Sequence, residues 1–154
     1  MVGQTKMSSS DPIPVVYGQG DTSPQGVQEV HAFIQSFVDR QQLLPRSIDE
    51  LARMMQHSFT ARASGQIIGF VALEVYSAKL GEIQCLSVDS DYRRLGIGRE
   101  LVSRCVARAR ELEIMELMAI SNSDEMFLAC GFDYSLPNQK RAFFIQPDQD
   151  AQPG

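Results

Sequence analysis

Two hydrophobic periods share this chain. Through 21–40, Val27, Val30, Phe33, Ile34, Phe37 and Val38 recur at helical spacing, with Ser23 placed to cap and Pro24 in the first turn. A second helix is predicted from 47: Ser47 and Glu50 make a capping-box pattern, and Ile48, Leu51, Met54 and Met55 form its apolar stripe. The period then shortens. "SFTARA" (58–63) and "QIIGFVALEVY" (66–76) read as a hairpin turning at Ser64-Gly65, and "GEIQCLSV" (81–88) as the next strand. Leu101, Val102, Cys105, Val106, Ala109 and Leu112 restore the helical spacing, with Arg99, Arg104, Arg108 and Arg110 on the solvent side. "IMELMAIS" (114–121) reads as a buried strand, "SDEMFLACGF" (123–132) as a short helix closed by Gly131, and "RAFFIQ" (141–146) as a last strand. "IPVVYG" (13–18) suits a short edge strand, since Pro14 lacks a ladder donor. Strands and helices alternating in this way predict an α/β domain: a mixed, mostly antiparallel sheet with helices on both faces.

One strand breaks the pattern. In 81–88, alternation puts Ile83 and Cys85 on one face, and Leu86 and Val88 on the other. Either both faces are buried, or an extra residue forms a β-bulge.

Composition narrows the function. A chain of 154 residues suits one domain, read here as 13–146, between a disordered segment at 1–12 and a flexible tail at 147–154. The net charge of −5 argues against nucleic-acid binding through a basic surface. The apolar run 67–76 falls short of the ~20 residues a membrane span needs. The polar amino end offers no signal core, and Cys85, Cys105 and Cys130 show no CxxC pairing. These features predict a cytoplasmic domain with reduced thiols and no metal site. Met54, Met55, Met115, Met118 and Met126 read as core filling, and His31 and His57 lack a partner motif.

Against that acidic background, "SVDSDYRRLGIGRELVSRCVARARELE" (87–113) gathers Arg93, Arg94, Arg99, Arg104, Arg108 and Arg110 around two glycines. A strand ending at Val88 and a glycine turn entering a helix make an anion cradle, because the first N–H groups of a helix lack carbonyl partners. Gly98 is followed by Arg99-Glu100, which excludes a P-loop, and Leu101 stands where a dinucleotide fingerprint needs its third glycine. What remains is Arg93-Arg94-Leu95-Gly96-Ile97-Gly98, an R-x-x-G-x-G pattern that also suits a plain basic helix start.

"LSVDSDYRRLGIGRELV" (86–102) resembles the acetyl-CoA motif of the GNAT superfamily of N-acetyltransferases, and the layout is similar over about 13–146. "LLPRSIDEL", "GEIQCLSVDSDYRR" and "FLACGF…LP" together resemble, more closely, the acetyltransferase domain of bacterial N-acetylglutamate synthases. The resemblance implies a bulged fourth strand splayed from the fifth, with the pantetheine arm of coenzyme A between them. It implies a pyrophosphate on the N–H groups from Arg94 to Arg99, and a cofactor site of Leu86, Ser87, Val88, Arg93 to Arg99, Asn122 and Phe127. Asn122 suits a helix cap equally well.

Acetyl transfer needs a proton acceptor for the amine, and an oxyanion donor. A backbone N–H around Leu86 to Val88 can be the donor. Glu82 is the best-placed carboxylate, against the plain reading of a strand-end glutamate. Many GNAT enzymes carry a tyrosine where Phe127 stands here, so a tyrosine acid is unavailable at that position; a thiolate, with a reference pKa of about 8.5, can leave without one. Arg46, with Arg141 or Lys140, is expected to hold the carboxylates of an acceptor such as glutamate. The expected partner is a small-molecule amine, with neither nucleic acid nor membrane, and a homodimer is left open. The rivals are acetylation of another amine (antibiotic, polyamine or protein N-terminus) and a non-catalytic acyl-CoA-binding module.

Overall fold

The computed structural model describes residues 13–121, 123–134 and 145. Five strands form one sheet in the order β1-β2-β3-β4-β5: Val15–Gln19, Ser58–Ala63, Gln66–Ser77, Leu80–Val88 and Glu116–Ala119. The first four pair antiparallel and β4 pairs with β5 in parallel. Helices α1 (Pro24–Asp39) and α2 (Ile48–Met54) precede β2, α3 (Ile97–Glu111) crosses from β4 to β5, and α4 (Asp124–Ala129) follows β5. The strand predicted at 141–146 lies outside the described residues except for exposed Ile145, as do both terminal segments.

The capping predictions hold in detail. The Ser23 hydroxyl accepts from Gly26 N–H at 3.1 Å. Ser47 and Glu50 close a reciprocal box, Glu50 N–H to Ser47 Oγ at 3.1 Å and Ser47 N–H to Glu50 Oε2 at 2.8 Å. The β2–β3 turn uses Ser64 and Gly65 with φ of 50° and 78°, the doubly positive pair that matches the twist of a tight hairpin.

Each sheet face has its own core. On one, Val71, Leu73 and Ile83 pack with Leu101, Val102 and Cys105 of α3 and with Phe127 of α4. On the other, Phe70, Ala72 and Cys85 pack with Val27, Val30 and Ile34 of α1 and Leu51 of α2. Helices therefore cover both faces, as predicted. Two residues and one strand depart from their expected burial. Ile48 (42% exposed) and Met115 (73%) stand in solvent, and β5 is only half-buried along its length.

The irregular strand carries a bulge. Ala72 pairs with Gln84 but Phe70 with Ser87, so β4 spends three steps where β3 spends two. Cys85 takes a left-handed φ of 57° there. The bulge corrects the alternation reading: Ile83 joins Leu86 and Val88 on the α3 face, while Cys85 turns to the α1–α2 face. Pairing of β4 with β5 ends at Ile83 with Ala119, so β4 runs on to Val88 with no strand along that edge among the described residues. This is the splay.

Candidate functional site

The glycine turn sits at the open end of β4. Asp89 N–H donates to the Ile68 carbonyl at 2.7 Å. Antiparallel ladders alternate, so the N–H of Val88 points away from β3 and into the splay. The Asp89 carboxylate accepts from Asp91 N–H at 2.9 Å and bends the chain through Ser90–Tyr92. Gly96 caps α3 with φ 78° and without a side-chain bond. The first ladder bond of α3 runs from Glu100 N–H to the Gly96 carbonyl at 3.0 Å, so the N–H groups of Ile97, Gly98 and Arg99 precede the ladder. The Ile97 side chain itself is core, 2% exposed, so only its backbone can serve a ligand. Leu95 is 65% exposed beside it.

The six arginines are not one field. Arg104 pairs with Glu100 at 3.1 Å and lies 5.0 Å over the Tyr17 ring. Arg108 pairs with Glu111 at 2.9 Å and donates to His57 Nδ1 at 3.4 Å. Arg93, Arg94 and Arg99 remain exposed at the turn, Arg94 with a φ of 65°. Charge at this end therefore comes from three guanidinium groups and a helix start.

A cleft of about 1160 Å³ runs from this turn along the open edge of β4. It is lined by Glu82, Leu86, Ser87, Val88, Arg93, Arg94, Gly96, Ile97, Gly98, Arg99 and Phe127, and by Arg46 at its far wall. Nearly the whole predicted site thus shares one space. Asn122, Lys140 and Arg141 lie outside the described residues. The Phe127 ring is buried edge-on against Phe132, centroids 5.3 Å apart. Sequence reasoning missed Tyr92, Ser121, Ser123 and the loop 41–44, which also line the cleft. These fall in turns, where apolar periodicity carries no signal.

At the cleft's end is a polar network. Arg46 Nη2 donates to Gln84 Oε1 at 3.2 Å, and Gln84 Nε2 donates to Glu82 Oε1 at 2.8 Å and Tyr76 Oη at 3.1 Å. Tyr76 Oη donates in turn to Glu82 Oε1 at 3.3 Å. Partial burial, then the Glu82 charge, raises the Tyr76 phenol above its ordinary value and keeps it a donor. A second, smaller cavity of about 210 Å³ adjoins, walled by Arg46, Glu50, Arg53, Glu74, Tyr76 and Gln84. Two cations face two carboxylates there. Among the described residues, Arg46 Nε is buried without a hydrogen-bond partner. Burial makes a poor nucleophile of Cys85, which lines the cleft and whose thiol it pushes up, and of Cys105 in the core under α3, pushed up to about 12.

Among the described residues no three His, Cys, Asp or Glu side chains gather as a metal site, and no helix is long and apolar enough to cross a membrane.

The comparisons with known proteins agree on one family. Residues 27–132 match the acetyltransferase (GNAT) family. An uncharacterised N-acetyltransferase of Chlorobaculum tepidum is 32% identical over 90 residues, 58% of each chain. An amino-acid acetyltransferase of Mycobacterium tuberculosis is 30% identical over 93 residues, 58% of this chain and 53% of that one. The match thus spans little more than half of either relative. N-acetylglutamate synthase from Neisseria gonorrhoeae, solved with coenzyme A and N-acetyl-glutamate, superposes with a TM-score of 0.65 at 25% identity, over 77% of this chain and 28% of that one. With a five-stranded mixed sheet, an open β4 edge and a glycine-capped α3 where that family's pattern falls, the chain belongs to the acetyltransferase (GNAT) family.

Proposed function

We propose that this domain transfers an acetyl group from acetyl-CoA to the α-amino group of a small amino acid, glutamate foremost. The observation that carries this reading is the single cleft joining the glycine turn, the open edge of β4, Glu82 and Arg46. The cleft's volume and the N–H groups at the start of α3 suit a long ligand with a phosphate end. Acetyl-CoA, when bound, supplies a thioester whose acetyl carbon the amine attacks as the carbon–sulfur bond breaks. The Ile97, Gly98 and Arg99 N–H groups take the phosphates, with Arg93, Arg94 and Arg99 around them. The Val88 N–H in the splay donates to the carbonyl oxygen as negative charge develops there. Glu82 accepts the amine proton, directly or through one water. Phe127 gives the leaving sulfur no proton, so departure as thiolate is the route these residues favour.

Arg46 supports the choice of acceptor. It forms the wall between the cleft and the small cavity, whose paired cations and carboxylates complement a zwitterion. The relatives point the same way, one named an amino-acid acetyltransferase and one solved with N-acetyl-glutamate. Incubation with acetyl-CoA and a panel of amines, following free thiol, tests the proposal. Glutamate is expected to be acetylated. Arg46→Ala should raise its KM about ten- to a hundredfold with acetyl-CoA affinity unchanged, the worth of one charge-assisted bond. Acetylation of a cationic amine but not of glutamate or aspartate would overturn the acceptor. Phe127 favours a second reading, a domain that binds acyl-CoA without transfer; it predicts no thiol release with any amine.

A further inference from the structure

The structure assigns Tyr76 and Gln84 as positioning residues that hold the Glu82 carboxylate for its proton transfer. This inference rests on the reading of Glu82 as proton acceptor given above.

Two bulges bracket Glu82. Besides the one at Cys85, the β3–β4 register slips again where Val75 pairs with Gly81 and Ser77 with Leu80, which makes Tyr76 the extra residue of β3. A bulge re-aims the side chain it carries. Tyr76 is 53% exposed and could be hydrated freely, yet its hydroxyl is turned onto Glu82 Oε1. Gln84 reaches the same oxygen from two residues along β4, on the same strand face as Glu82.

The amide of Gln84 can sit only one way round. Its oxygen meets the Arg46 guanidinium, a pure donor, and its nitrogen meets the Glu82 carboxylate, a pure acceptor. A flip would set donor against donor and oxygen against oxygen. Both amide hydrogens are spent, one on Glu82 and one on Tyr76. Glu82 Oε1 thereby accepts two bonds, and among the described residues Oε2 accepts none. One oxygen is anchored and the other is left for the amine proton. Gln84 also ties this carboxylate to Arg46, so a ligand drawing on Arg46 acts on the orientation of Glu82.

Steady-state kinetics on the best amine of the panel test the assignment, with Tyr76→Phe, Glu82→Gln and the double variant. Tyr76→Phe should lower kcat about tenfold, the loss of one hydrogen bond to a charged group, with the KM for acetyl-CoA and the melting temperature unchanged. In the Glu82→Gln background the same substitution should change nothing further, since the two act as one unit. Gln84→Met should lower kcat and also raise the KM for the amine, through Arg46. If Glu82→Gln is slow but Tyr76→Phe is at the wild-type rate, or costs the same factor in both backgrounds, the positioning role is overturned and the base reading stands. If Glu82→Gln keeps the wild-type rate, or if no amine turns over, the base reading falls and takes the positioning role with it.

Discussion

Gly96 and Gly98 stand two residues apart and answer to different constraints. Gly96 has a left-handed φ of 78°, so any side chain there is strained although nothing lies within 4 Å of its would-be Cβ. Gly96→Ala should cost about 1 kcal/mol, a fall of about 2–4 °C in a chain of this length. Gly98 has ordinary helical geometry, and a Cβ there meets only Val88 Cγ2 at 3.8 Å. Gly98→Ala should therefore leave stability level or raise it by up to about 1 kcal/mol. Gly98→Val should still fold, yet weaken acetyl-CoA binding at least about tenfold, because its branches enter the phosphate's approach. Melting curves and calorimetry on the variants check both sides. Unchanged affinity in a folded Gly98→Val protein would remove the cradle from this turn. The glycine pattern was legible in the sequence as a possible anion site; which glycine serves the backbone and which the ligand was not, since that depends on φ and on what faces the missing Cβ.

Between elements, the contact of α3 with the turn after α2 has a pH dependence of determined sign. His57 is half-buried there, and Arg108 Nε donates to its Nδ1, which must be unprotonated to accept. Burial first, and the Arg108 charge second, lower the His57 pKa below its ordinary 6.5. The unfolded chain thus binds the proton more readily than the folded one. Stability from this group is present above the unfolded pKa and is lost as pH falls through the folded one. Melting temperature should drop between about pH 7.5 and pH 5, and His57→Gln should flatten that slope. Equal slopes in both proteins would assign the acid sensitivity elsewhere. Sequence periodicity found the helices and strands, and the broken alternation of β4 was legible as either a doubly buried strand or a bulge; its pairing with β3 decides for the bulge. A bulge leaves the count of apolar residues unchanged and alters only which face receives them, so Cys85 could not be placed without its partner strand.

At the scale of the molecule, an acidic chain of net charge −5 sets three exposed guanidinium groups, Arg93, Arg94 and Arg99, along one cleft. Exposed guanidinium groups attract phosphates across solvent, so salt should screen them. The KM for acetyl-CoA should rise several-fold between about 20 mM and about 500 mM sodium chloride, while kcat holds. A KM indifferent to salt would mean that the backbone N–H groups alone carry the phosphate end. The α/β class and the two helical faces were readable from pattern and spacing, whereas the residues proposed for the cofactor rested on the resemblance of 86–102 to a known motif. The network of Tyr76, Gln84 and Arg46 was not, because its members come from β3, β4 and a loop, and only the pairing of strands brings them together.

The open edge of β4 has a consequence for how the protein keeps in solution. A strand with unpaired N–H and carbonyl groups is a template on which another chain can assemble, and exposed edges are where sheets aggregate. Among the described residues, the stretch left free from Gln84 to Val88 is five residues long, interrupted by its bulge and lining the cleft. So short a stretch, with its ladder broken by a bulge, offers an added strand few hydrogen bonds in register. The bulge that opens the sheet to a ligand thus also makes the opened edge a poor template for fibrils.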